Sequence, residues 1–252
     1  MRAERRRGFI PFITAGDPTL DATRQLILEL ARAGATVIEL GVPFSDPMAD
    51  GPTIQRSSER ALRRGVGVAD VLAVVADARR ETDVPLVLFS YYNPLLQYGA
   101  ERLCQDARRA GVDGMLVTDL APEESVDFAA TLRAHSLDLI FLVAPTSTDT
   151  RLRLIAERAS GFIYAVSRAG VTGVRKESST QAERLVERVR GFTDLPVAVG
   201  FGISTREQLA DVWRYADAAV VGSAIVSEIE KLCDAPDLVE RVGGFARGLL
   251  PS

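Results

Sequence analysis

Lysine is nearly missing from this chain. Of the 30 basic residues among 252, only Lys176 and Lys231 are lysines; the others are Arg. Neither stands at the end of an apolar, strand-like run, so Schiff-base chemistry has no candidate residue. Histidine occurs once, as His135, and cysteine twice, as Cys104 and Cys233. That is too little for a zinc site of the usual kind or for a disulfide framework. His135 falls at the end of a helical segment (RAHSLD) and reads as a surface or capping residue. No excess of positive charge exists either: 30 basic against 34 acidic residues give a net charge of -4. This excludes nucleic-acid binding through bulk charge. Apolar runs stay well short of the ~18 residues a membrane span needs. The basic start, MRAERRRGFIPF, is followed by an apolar run that Pro11 and Gly16 soon break, unlike a signal peptide. A soluble, cytoplasmic protein is expected. The phosphate-loop pattern GxxxxGK[ST] is absent as well.

What is present is an alternation. Hydrophobic residues make up 47% and charged residues 25%, an ordinary globular mixture. Short β-branched runs at 8–14, 36–41, 85–89, 114–117, 137–143, 162–166, 196–200 and 218–221 read as strands. Helical patterns separate them, at 20–33, 53–64, 70–80, 101–110, 123–135, 150–159, 180–190, 205–215 and 238–249, with a short helix SAIVSEIEK after the last strand. Such alternation implies parallel strands with right-handed crossovers. Eight units in ~250 residues fit a closed (β/α)8 TIM barrel, class α/β, better than an open sheet. A dinucleotide-binding sheet would need GxGxxG after its first strand; TAGDP stands there instead. No linker or repeat divides the chain, so one domain over 1–252 is expected.

In such a barrel, chemistry sits at the C-terminal strand ends. Glu39, in TVIELG, is the first candidate. If Val37 points inward, so does Glu39. A carboxyl at the mouth of an apolar barrel should have a raised pKa, suited to giving and taking a proton. The alternative is a buried Glu paired with an Arg or a backbone donor. Asp50 is the second candidate, in the loop GVPFSDPMADGPTIQ, which Pro43, Pro47 and Pro52 shape. It could equally cap the helix that starts at Gly51 or Pro52. Tyr164 could point inward, its hydroxyl near the acids, or simply pack. Phe12 and Phe201 sit at strand ends, where an aromatic ligand or a barrel layer would use them. Trp213 reads as core, and Arg5–Arg7 as a solvated terminus.

Three glycine-rich segments follow the last strands: SRAGVTG (Ser167–Gly173), GFGIS (Gly200–Ser204) and VGSAIV (Val221–Val226). The last opens a helix at Ser223. Free N–H groups there favour an anion, and barrels often hold phosphate between the loops after strands seven and eight. Each glycine alone is an ordinary turn residue.

Four segments now stand out together: PFITAGDP (Pro11–Pro18), ELGVPFSDPMADGPTIQ (Glu39–Gln55), SRAGVTG and GFGIS. In this order they resemble the tryptophan synthase alpha subunit, from about Gly8 to the C-terminal helix. The resemblance implies a carbon–carbon lyase that splits indole-3-glycerol phosphate into indole and glyceraldehyde 3-phosphate in tryptophan biosynthesis. It implies that Glu39 is the general acid/base, that Asp50 bonds the indole N–H and that Tyr164 is a hydroxyl near both. Phe12, Leu116 and Phe201 would surround the indole. Gly173, Gly202, Gly222 and Ser223 would hold the phosphate, and Thr172 would lie in a mobile loop. It further implies no cofactor in this chain, with pyridoxal phosphate on a beta-subunit partner in an alpha2beta2 assembly. Docking is expected at the loops Pro43–Pro52 and Asn93–Gly99. The helix that many members carry ahead of the first strand is expected to be missing or shortened. Phe89 and Ser90 replace aliphatic residues common in the family, which would reshape the indole pocket. Alternatives remain at this point: a stand-alone lyase releasing free indole, a non-catalytic partner-binding homologue, or a sugar-phosphate isomerase or epimerase.

Overall fold

The computed structural model describes residues 7–166, 175–200 and 202–251, without the side chains of 175–179. Eight parallel strands close into a barrel in sequence order: β1 (Gly8–Thr14), β2 (Ile38–Gly41), β3 (Leu86–Ser90), β4 (Gly114–Val117), β5 (Asp138–Val143), β6 (Ile163–Val166), β7 (Val197–Gly200) and β8 (Ala218–Val221). β1 closes on β8 with Gly8 opposite Ala218 and Pro11 opposite Val221. The closure excludes the open-sheet alternative. Around the barrel, among the described residues, run α1 (Leu20–Arg32), α2 (Pro52–Leu62), α3 (Val68–Ala78), α4 (Tyr92–Tyr98), α5 (Ala100–Ala110), α6 (Val126–Ala134), α7 (Asp149–Arg158), α8 (Arg175–Arg190), α9 (Arg206–Val212), α10 (Ser223–Lys231) and α11 (Leu238–Leu249).

Strand alternation splits the apolar residues into two cores. Ile10, Val37, Val87, Leu116, Ile140, Phe162, Ala198, Ala218 and Val220 fill the barrel. Their neighbours along the strands, such as Ile13, Ile38, Leu40, Leu88 and Ile163, face the helices. The helices bury one stripe on that outer layer. In α1, Leu26, Ile27 and Leu30 are fully buried, and the Thr19 hydroxyl starts the helix by accepting from Ala22 N.

Three local expectations change. The stretch Asn93–Gly99 is mostly helix α4, not loop; its first backbone N–H, on Tyr92, is taken by Asp119 Oδ1 at 2.7 Å. The segment 123–135 is broken: a 3-10 turn over Pro122–Glu124 precedes α6, and buried Ser125 donates to Pro122 O at the junction. Trp213 ends α9 half-buried rather than in the core, its indole N–H donating to Gly8 O at 2.8 Å. His135 does close α6, with Nε2 at 2.9 Å from Glu101 Oε1. The expected loss or shortening of a helix ahead of β1 concerns residues outside those described, and Arg5 and Arg6 lie there too.

Candidate active site

β2 delivers Glu39 to the barrel mouth. Ile38 and Leu40 belong to the outer core, so Glu39 between them projects inward. It is 1% exposed, and its Oε1 makes no hydrogen bond. The paired-Glu alternative therefore does not hold for that oxygen. Burial alone pushes the carboxyl from 4.5 to about 8. A carboxylate here would lose its water without gaining a partner, so the group rests protonated at neutral pH.

Asp50 follows β2 through the proline-shaped loop and is half-buried. It does not cap α2: Gly51 holds that position without a side-chain bond, and Pro52 opens the helix. Instead Oδ2 accepts from Tyr91 Oη at 3.1 Å, while that same Oη accepts from Ala49 N at 2.8 Å. Burial raises the Asp50 carboxyl to about 6, and the Tyr91 hydrogen bond holds it from going higher. Neither acid moves the other's pKa, yet both act on Tyr164. Burial, then the Glu39 charge, then the Asp50 charge push the Tyr164 hydroxyl well above its ordinary value. Tyr164 thus senses both carboxyls.

Aromatic side chains line the same mouth. Phe12 on β1 is the register neighbour of Glu39, and its ring meets Phe89 edge-on at 5.2 Å. Leu116 lies deeper, fully buried in the barrel core beside Phe89 in register. Two glycines make room for these groups. A Cβ on Gly41 would come within 2.6 Å of Phe12 Cζ, and one on Gly200 would collide with the Tyr164 hydroxyl.

After β8, which neighbours β1, α10 opens at Ser223 with Gly222 as its N-cap and no side chain closing the end. Its first N–H groups lack helical acceptors and carry the positive end of the dipole. Gly202, after β7, faces open space. The remaining candidates, Thr172, Gly173 and Phe201, lie outside the described residues. Among the described residues, no three His, Cys, Asp or Glu side chains converge to hold a metal ion. No described helix is long and apolar enough to cross a membrane.

The sequence and the fold have known counterparts. The sequence profile of the tryptophan synthase alpha chain matches residues 1–245. The chain belongs to the tryptophan synthase alpha chain family. A family member from Citrifermentans bemidjiense is 51% identical over 243 residues, 96% of this chain and 91% of that one. Tryptophan synthase subunit alpha from Legionella pneumophila superposes with a TM-score of 0.91 at 36% identity, covering 98% of this chain and 93% of that one. A chain from the tryptophan synthase a2b2 complex of the hyperthermophile Pyrococcus furiosus, a structure concerned with mutual activation, gives 0.89 at 38% identity, covering 96% and 97%. Membership makes the chain a lyase of tryptophan synthesis.

Tyr91 is the site residue to which sequence reading gave no role. It stands one position past β3, where the strand-end rule would have found it. A Tyr91→Phe variant should lose the bond that lowers the Asp50 pKa. The acid limb of its kcat/KM profile then moves to higher pH; a limb that stays put contradicts the assignment.

Proposed function

We propose that the chain cleaves indole-3-glycerol phosphate to indole and glyceraldehyde 3-phosphate, with Glu39 as acid and base and Asp50 as the fixed charge. The observation that carries this reading is the buried Glu39 carboxyl, its Oε1 without a hydrogen bond and the group held protonated at neutral pH. An indolyl carbanion is a poor leaving group, so the ring must first take a proton. Glu39 gives its proton to indole C3, and the resulting cation is centred on N1. Asp50, charged above about pH 6, accepts the N1–H bond and stabilises that cation. The carbon–carbon bond then breaks, its electrons return to the ring, and the adjacent hydroxyl becomes the aldehyde of glyceraldehyde 3-phosphate. Glu39, now a carboxylate, takes that hydroxyl proton and is ready for the next cycle. The Tyr164 hydroxyl, which senses both acids, would hold a glycerol oxygen. The protonation states needed coexist only between about pH 6 and about pH 8, so kcat/KM should be bell-shaped across that window.

Phe12, Phe89 and Leu116 offer the apolar wall for the indole, with Phe201 from outside the described residues. Gly202, Gly222 and Ser223 offer the phosphate cradle; Gly173 and Thr172, also expected there, lie outside the described residues. Exposed Ser223 tests the cradle. Ser223→Asp places a carboxylate against the phosphate, at ~1–4 kcal/mol for unit charges 4 Å apart. KM should rise at least about tenfold with kcat less affected; an unchanged KM removes the cradle from α10.

A beta-subunit partner in an alpha2beta2 assembly completes the reading, with pyridoxal phosphate on that partner and no cofactor on this chain. Met48 in the proline loop is 92% exposed and Leu96 on α4 is 52% exposed. Large apolar side chains left on two neighbouring expected docking segments favour a protein partner. The deciding experiment assays purified chain on indole-3-glycerol phosphate with and without a beta subunit. Cleavage that rises on adding the partner supports the reading. High activity alone, unaffected by the partner, favours the stand-alone lyase, and no cleavage in either case sinks it.

A further inference from the structure

α2 leaves directly from the Asp50 loop, and α10 opens at the Gly222–Ser223 cradle. The two helices are tied together away from the reacting atoms. Arg60 on α2 donates from Nε and Nη2 to both oxygens of Asp17, at 2.7 and 2.8 Å, and from Nη1 to Glu230 Oε1 at 2.7 Å. Arg56, one turn earlier, donates from Nε and Nη2 to the two oxygens of the same Glu230, at 2.8 and 2.7 Å. Asp17, in the loop after β1, is 1% exposed, and Glu230 sits in the last turn of α10. α2 is pinned to β1 a second time. Ser57 donates to Ile54 O at 2.7 Å, which leaves the Thr14 hydroxyl to donate to Ser57 Oγ at 2.6 Å. At the cradle end, a Cβ on Gly222 would lie 3.6 Å from Phe12 and 3.9 Å from Ile54. α10 therefore rests on β1 and α2 at its start and is held to α2 by two guanidinium groups at its end.

We propose that the Arg56–Arg60–Glu230 clamp is a positioning device that sets the spacing between the Asp50 carboxylate and the phosphate cradle, so that one ligand spans both. The inference rests on the site reading given above. Partly exposed ion pairs of this kind add little to folding stability, whereas bidentate guanidinium–carboxylate contacts fix orientation tightly. A ligand that bridges two subsites gains from its linkage only when their separation matches its length. Neither fragment alone senses that separation.

Glu230→Ala is the informative variant, because Asp17 keeps Arg60; Arg60→Ala would strand a buried carboxylate and threaten folding. Binding is measured for three probes: indole, inorganic phosphate, and an uncleavable analogue in which a propyl phosphate replaces the glycerol phosphate on indole C3. The analogue should weaken by about tenfold or more, while each fragment stays within about twofold of the wild type. KM for the substrate should rise, and Glu230→Gln, which keeps one acceptor oxygen, should recover part of the loss. The thermal midpoint should move little. An unchanged analogue affinity, or a parallel loss for analogue and fragments, overturns the clamp while leaving the proposed reaction intact. A wild-type chain that fails to bind the analogue at all overturns the site reading, and the clamp with it.

Discussion

Glu39→Gln is expected to abolish cleavage while leaving binding of the uncleavable analogue intact. General acid or base catalysis by one group contributes about 10²–10⁴-fold, and Glu39 serves both proton transfers, so a loss of at least ~10⁴-fold is expected. The amide keeps the size of the carboxyl and fits the same apolar pocket, which separates chemistry from packing. The same variant carries a second, opposite signature in stability. In the folded chain Glu39 holds its proton up to about pH 8, against 4.5 for a free glutamate. The folded state thus binds more protons than the unfolded state between these values, and wild-type stability falls as pH rises through that window. The amide has no such dependence. Glu39→Gln should match the wild type near pH 4 and exceed it above pH 8 by chemical denaturation. An inactive variant without that divergence would mean the carboxyl is not the desolvated group described above; a variant with near-normal turnover removes it from the reaction.

Asp50→Asn is expected to slow cleavage by about 10²–10³-fold, the usual loss when one preorganised electrostatic group is removed. Asn keeps an acceptor for the indole N–H and for Tyr91, so what disappears is the charge. The loss should therefore fall on kcat more than on KM, because the positive ring exists only after protonation. The acid limb of the pH profile, set by the Asp50 carboxyl at about 6, should vanish with it. A change under about threefold, less than ~0.7 kcal/mol in barrier, removes the charge from the mechanism.

The barrel was legible because its signal is local. Each strand is a short β-branched run, and each outer helix repeats its apolar face, so element order and inward-pointing positions follow from two periodicities. Glu39 was readable for that reason: an acid at an inward position breaks an otherwise apolar pattern. α4 was not readable, because YNPLLQY contains Pro94 and is too short for a period to show. Pro94 falls in the first turn, where a missing N–H costs nothing, and Asp119 from the end of β4 supplies the cap. The break at Ser125 likewise depends on a buried hydroxyl bond that composition does not reveal. Tyr91 needed its partner: only the fold brings it to Asp50, 41 positions away. The clamp is further still from sequence reading, since Asp17, Arg60 and Glu230 are joined by contacts spanning 43 and 170 positions.

The central feature is a buried carboxyl, its Oε1 without a hydrogen bond, that waits protonated at the barrel mouth. It is tested most directly by following the Glu39 carboxyl itself, as the infrared difference between wild type and Glu39→Gln from pH 4 to pH 10. The protonated-acid band should persist through neutrality and disappear with a midpoint near 8. A midpoint near 4.5 would contradict the account, because a carboxylate already charged at neutral pH has no proton to give the indole ring.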